Sequence, residues 1–205
     1  MAGHVLSVIN SNYCVRCHQT LQINTEKRAA YNEANNLLFS LTRETNFRVM
    51  LDRESNPIVT LERMTPSFHG RWNVYRGQGR DPAQLLFKVK LSSTSIMRGA
   101  QSKLEVFLEN NNRVEDRNRC DFRVIIDGNK RSCTVYAGES PNFIAQMENR
   151  MGFTVRINPY VDYAFIVTLL MIVNAMDFED WVSKIAKGVK KGSELCSDVK
   201  NANVK

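Results

Sequence analysis

Cys14-Val15-Arg16-Cys17-His18 is where this chain sets thiols and an imidazole at a spacing associated with chemistry. C-x-x-C-H is the pattern of covalent haem attachment, with two thioethers to the vinyl groups and the histidine as axial ligand. It also offers zinc two or three ligands, but Cys120, Cys133 and Cys196 provide no second paired spacing to complete a tetrahedral site. Haem attachment normally needs export, and the expectation is that the chain carries no cofactor. The three histidines, His4, His18 and His69, stand in no H-E-x-x-H or G-x-S-x-G context. Gly77-Gln78-Gly79-Arg80 lacks the third glycine of a phosphate loop and is followed by Asp81-Pro82, so it reads as a turn. The acids and asparagines of Asn110 to Arg117 lack the glycine and spacing of a calcium loop. No catalytic constellation emerges, and a non-enzymatic protein is expected.

Cations remain as the candidates for binding. Lys88 and Lys90 share a strand face, Arg117 and Arg119 share a parity beside Cys120, and Lys130-Arg131 sit at a hairpin tip. Lys184, Lys187 and Lys191 recur on one face of a C-terminal amphipathic helix. Anionic phospholipid headgroups are the ligands such positions suggest, with a protein partner as the other option. Contact with DNA is the alternative, but aromatic and basic residues do not interleave as they do on RNA-binding sheets.

The chain that must position these groups has 205 residues, a net charge of +7, 24% charged and 43% hydrophobic residues, within the range of a globular domain. Five cysteines and a start without a basic, then apolar, run fit a protein that is not secreted. A cytoplasmic location is expected, peripheral at a membrane or nuclear. The oligomeric state is left open.

Strand signals dominate the middle of the chain. Phe47, Val49 and Leu51 alternate with Arg48 and Met50, and Ile58-Val59-Thr60-Leu61 follows a polar turn. Further runs are Trp72 to Tyr75, Leu85 to Leu91, Leu104 to Leu108, Phe122 to Ile126, Cys133 to Tyr136, Phe143 to Met147 and Phe153 to Ile157. Then the pattern changes. From Val161 to Met176 the chain is apolar on every helical face, with Phe165, Leu169 and Ile172 on one stripe and Ile166, Leu170 and Val173 on another. This is shorter than the roughly 20 apolar residues of a membrane span, so protein must surround it and no transmembrane span is expected. Burying each large side chain contributes on the order of 1.5–3 kcal/mol gross, and several together rival a domain's net stability of roughly 5–15 kcal/mol. Asn158-Pro159 suggests the helix start, and Asp162 suits its dipole. Antiparallel strands followed by such a helix imply a barrel closed around it.

Asp162 to Val167 resembles the terminal helix signature of the plant LURP-one-related family, within the tubby C-terminal-like superfamily. Asn36 to Phe39, Asn56 to Leu61, Arg71 to Gly77, Leu85 to Val89, Cys120 to Val124, Arg131 to Gly138 and Ala145 to Met147 agree in order. The resemblance implies a mainly β fold, a tubby-like closed antiparallel barrel of about 10–12 strands around a central hydrophobic helix. It implies kinship with phospholipid scramblases and membrane-tethered tubby-type proteins that bind phosphoinositides, and a link to plant defence. The phosphoinositide-binding and calcium-binding patterns of those relatives have no match here. The expected organisation is a disordered lead at 1–12, the barrel at 13–177, and a basic amphipathic helix with disordered tail at 178–205. Between Cys17 and Tyr31, and between Met147 and Phe153, the chain looks too short for the family's full wall. Ten or eleven strands, with a gap exposing unpaired edges, are therefore expected.

Overall fold

The computed structural model describes residues 5–42, 47–64, 70–92, 101–109, 119–127, 132–149 and 153–176. The described residues form twelve antiparallel strands and one α-helix. The strands are β1 (Gln19–Asn24), β2 (Ala29–Asn32), β3 (Leu37–Leu41), β4 (Phe47–Asp52), β5 (Pro57–Met64) and β6 (Arg71–Arg76). They continue with β7 (Leu85–Ser92), β8 (Ser102–Leu108), β9 (Phe122–Ile126), β10 (Ser132–Ala137), β11 (Phe143–Asn149) and β12 (Phe153–Ile157). The helix α1 spans Tyr163–Ala175. Each strand pairs with its sequence neighbours, and β12 pairs back onto β1, so the sheet closes. The barrel unit runs through Asn174, and the chain from Ala175 onward is a second unit.

The expected gap is absent. Leu21 lies opposite Asn32 on one side and Val155 on the other, so β1 is hydrogen-bonded along both edges. Short strands suffice here: β2 needs four residues and β12 five. Counting ten or eleven strands underrated segments near the usual minimum length.

Closure around a helix follows from size. A barrel of about eight strands is filled by its own side chains, whereas more strands leave room for a cylinder roughly 10–12 Å across. Every residue from Ala164 to Val173 is buried. Phe165 meets Phe87 edge-on at 5.2 Å and Phe122 at 4.8 Å. Thr168, the helix's one buried hydroxyl, donates to the Ala164 carbonyl at 2.8 Å.

On β4 the alternation misleads about which face is apolar. Met50 points inward and is fully buried, with its sulfur 3.7 Å from Thr168 Oγ1. Val49 is also buried. The β6–β7 connection folds back over β5, where Gly79 N–H donates to Thr60 Oγ1 at 3.1 Å and the Arg80 guanidinium lies over the Phe47 ring. Arg48, two residues before Met50 and opposite buried Leu61, shares the inward parity of Met50.

The helix start differs from the Asn158-Pro159 expectation. Tyr160 adopts a left-handed conformation, with φ of 63°, and residues 158–161 form a turn rather than a first helical turn. Asp162 is the N-cap: its Oδ1 accepts from Phe165 N–H at 3.0 Å. Its Oδ2 accepts three further amides, from Val8 at 3.1 Å, Ile9 at 2.7 Å and Asn10 at 3.0 Å. Residues 5–12 are thus a strap across one barrel end and not a disordered lead. Ile9 is buried, Leu6 bridges Val161, and Arg76 Nη1 donates to the Ile9 carbonyl at 2.7 Å. The expected tail at 178–205, with Lys184, Lys187 and Lys191, lies outside the described residues.

Three outcomes are expected from this packing. Asp162→Ala removes a cap worth about 1 kcal/mol and orphans three strap amides, so it destabilises by roughly 3–5 kcal/mol in urea titration. Leu169→Ala, at a fully buried helix position, costs about 2–5 kcal/mol in the same titration. Burial pushes the Cys133 thiol up from 9.0 to about 12. The unfolded chain therefore loses this proton first, and stability falls as pH rises from about 9 towards 12, an alkaline loss that Cys133→Ala reduces in urea titrations across that range.

Candidate functional site at the barrel mouth

The two ends of the barrel differ. The strap, the Asp162 carboxylate and the edge-packed rings of Tyr13, Phe39 and Tyr163 close the end where α1 begins. The strands alternate in direction, so the β1–β2, β3–β4 and β5–β6 connections join at the other end, the mouth. With 13 residues α1 is about 20 Å long, and its last turn approaches this mouth.

Three arginines gather on one arc of the mouth. Arg28 precedes β2 in a left-handed conformation, φ 54°, and its carbonyl accepts from Leu41 N–H at 2.9 Å. For a side chain with a Cβ that conformation costs roughly 1–2 kcal/mol. Arg48 lies opposite Leu61, and Arg63 lies opposite Trp72. Leu61 and Trp72 are buried core residues, so Arg48 and Arg63 hold inward parity one step beyond the apolar layer. Burial lowers the Arg48 pKa first, and the charges of Arg28 and Arg63 lower it further. Arg48 therefore senses the charges of Arg28 and Arg63.

Nothing among the described residues neutralises them. None of the ion pairs found there includes Arg28, Arg48 or Arg63. The helix C-terminus contributes a partial charge of only about −0.5, against three full positive charges. Beside them the Trp72 indole N–H is buried without an acceptor, in a side chain 3% exposed. A buried donor left unmade costs roughly 1–3 kcal/mol, a cost that an acceptor reaching the indole would remove. Guanidinium forks match the paired oxygens of phosphate and carboxylate. The mouth thus gathers cationic and donor groups whose chemistry an anion would complement.

The residues expected from sequence fall elsewhere. Lys88 and Lys90 point outward from β7, where Lys88 pairs with Glu109 at 2.9 Å and Lys90 lies opposite Glu105. Arg119 is exposed just before β9, at the strap end. Lys88 and Lys90 share one exposed face of β7, as their spacing implies. Arg117, Lys130, Lys184, Lys187 and Lys191 lie outside the described residues. The mouth arginines went unselected because Arg28 follows a polar turn, Arg48 interrupts an apolar run and Arg63 ends one, and only the pairing of β2 to β5 brings them to one arc. The available signal was the shared parity of Arg48 with Met50 and of Arg63 with Leu61.

Among the described residues no cluster of histidine, cysteine, aspartate and glutamate has the makings of a metal site, and no helix is long and apolar enough to cross a membrane. Cys14 donates to the Leu6 carbonyl at 3.4 Å, while Cys17 is exposed.

Known proteins bear on the same region of chain. A sequence model of the LURP-one-related family matches residues 13–174. Protein LURP-one-related 15 of Arabidopsis thaliana is 43% identical over 143 residues, covering 65% of this chain and 63% of that protein. Protein LURP-one-related 10 of the same plant is 34% identical over 199 residues, covering 85% of this chain and 98% of that one. Protein LURP1 of Arabidopsis thaliana is 36% identical over 148 residues, 67% of this chain and 69% of its own. An X-ray structure of an Arabidopsis thaliana protein superposes with a TM-score of 0.67 at 33% identity, covering 82% of this chain and 97% of that chain.

Arg48→Met relieves like-charge crowding, so without added anion it is expected to be at least as stable as the wild type. Inorganic phosphate is expected to raise the thermal midpoint of the wild type by several degrees more than that of Arg48→Met. Equal increments in the two proteins would reduce the effect to general salt exclusion.

Proposed function

The chain belongs to the LURP-one-related family, and from that premise we propose that it is a non-enzymatic binding protein whose mouth takes the anionic headgroup of a phospholipid. The observation that carries this reading is the uncompensated trio Arg28, Arg48 and Arg63 beside the unpaired Trp72 N–H. A phosphate monoester or diester supplies what that site lacks: negative charge, several acceptor oxygens and a size that fits between adjacent strand ends. Binding at a barrel end, rather than on the wall, also leaves the closed sheet undisturbed. The protein then works peripherally, with its mouth towards the membrane surface. Kinship with scramblases and tubby-type proteins, and a role in plant defence signalling, belong to the same proposal.

Sedimentation with vesicles tests it. Vesicles of phosphatidylcholine containing phosphatidylserine or phosphatidylinositol phosphate are expected to carry down the wild type at low salt, and pure phosphatidylcholine is not. The double variant Arg48→Ala with Arg63→Ala is expected to lose at least tenfold in affinity, and added salt to weaken the wild type further. Equal failure to sediment with every vesicle at low salt would sink the lipid reading. Saturable binding to duplex DNA, falling steeply with salt, in a protein that ignores anionic vesicles would favour nucleic acid instead.

A further inference from the structure

A second feature lies along β1, β2 and β12, reaching the β1–β2 connection beside Arg28 but of different chemistry from the mouth arginines. Gln22 on β1 stands opposite both Tyr31 on β2 and Thr154 on β12. Together with Asn24, Lys27, Asn35 and Phe153 these residues line a cleft of about 280 Å³. That is near the lower end of small-molecule sites, which start around 300 Å³.

Its lining is specific in kind. The Gln22 and Asn35 carboxamides and the Tyr31 and Thr154 hydroxyls make no hydrogen bond to protein among the described residues. Asn24 contributes a third carboxamide, whose Oδ1 accepts from Lys27 N–H at 2.8 Å. The local backbone is set up to present them. The register of β2 shifts between Ala30 and Tyr31, a bulge that re-aims the side chain that follows. Asn35 takes a left-handed conformation, φ 58°, in a turn fixed by Asn32, whose Oδ1 accepts from Asn36 N–H at 2.8 Å.

We infer that this cleft is a carbohydrate site for one or two hexose units. Each carboxamide sets a donor beside an acceptor, matching the vicinal hydroxyls of a sugar, which both donate and accept. Tyr31, which shares the outward parity of Gln22 and Thr154, adds aromatic surface for the apolar C–H face of a pyranose ring. One lysine among three carboxamides and two hydroxyls is a poor phosphate cradle, since phosphate sites converge several cations or backbone amides. The cleft thus takes a neutral or singly acidic sugar.

Saturation-transfer NMR on the full chain with maltotriose, cellotriose and a galacturonic acid trimer tests the assignment. At least one trimer is expected to give a saturable signal, reduced at least tenfold in Gln22→Ala with Asn35→Ala at unchanged circular dichroism. Should that double variant fail to fold, Tyr31→Phe removes one hydroxyl and is expected to weaken the same signal several-fold. Silence with all three trimers, a signal that survives the variants, or displacement by inorganic phosphate alone overturns the inference. Because the probes carry no phosphate, failure here leaves the vesicle result untouched.

Discussion

One carboxylate joins the parts of this molecule that sequence keeps far apart. Asp162 caps the central helix through Oδ1 and gathers three amides of residues 8–10 through Oδ2. It is fully buried, and each of those four amides would otherwise stand unpaired at a helix start or on a strap. Hydrogen bonds to a charged group contribute roughly 1.5–3 kcal/mol each, against about 0.5–1.5 kcal/mol for neutral ones. The helix is held in axial position by that anchor, and twelve strands close around a helix held in place. Both ends of the barrel inherit their character from it.

At the anchored end, strap and aromatic rings seal the interior. At the other end the apolar layer gives way to arginines with no acid among the described residues to meet them. Core and charged end are therefore separate: the helix side chains Phe165, Ile166, Leu169, Leu170, Ile172 and Val173 hold the fold, and the rim carries the charge. The tolerance of a crowded rim is itself informative. Like charges and an orphaned indole donor are costs in the free protein, and a ligand that relieves them binds with that relief added to its own contacts.

Much of the architecture was legible. The helix announced itself because residues apolar all round have nowhere to go but inside a protein, and β9 and β12 matched their apolar runs residue for residue. Closure was harder to read, since β2 offers only Ala29-Ala30-Tyr31-Asn32 and alanine carries little strand preference. The strap escaped because its partner, Asp162, lies more than 150 positions away. The mouth was missed for a related reason. Lys88 and Lys90 look like a pair in sequence, yet each faces an acid across the sheet. Arg28, Arg48 and Arg63 look isolated and converge only when β2 to β5 curve into a wall. Their linear signature was limited to parity, Arg48 with Met50 and Arg63 with Leu61.

The most direct measurement of the central claim watches the Trp72 indole. The chain has two tryptophans, so the Nε1–H resonance of Trp72 can be assigned by substitution and followed while a soluble glycerophosphate headgroup is titrated. A headgroup seated among Arg28, Arg48 and Arg63 would give the unpaired N–H its acceptor, and the resonance would move saturably downfield. Perturbation confined to the outer-wall lysines or to the C-terminal tail, with the Trp72 indole unmoved, would contradict binding at the mouth.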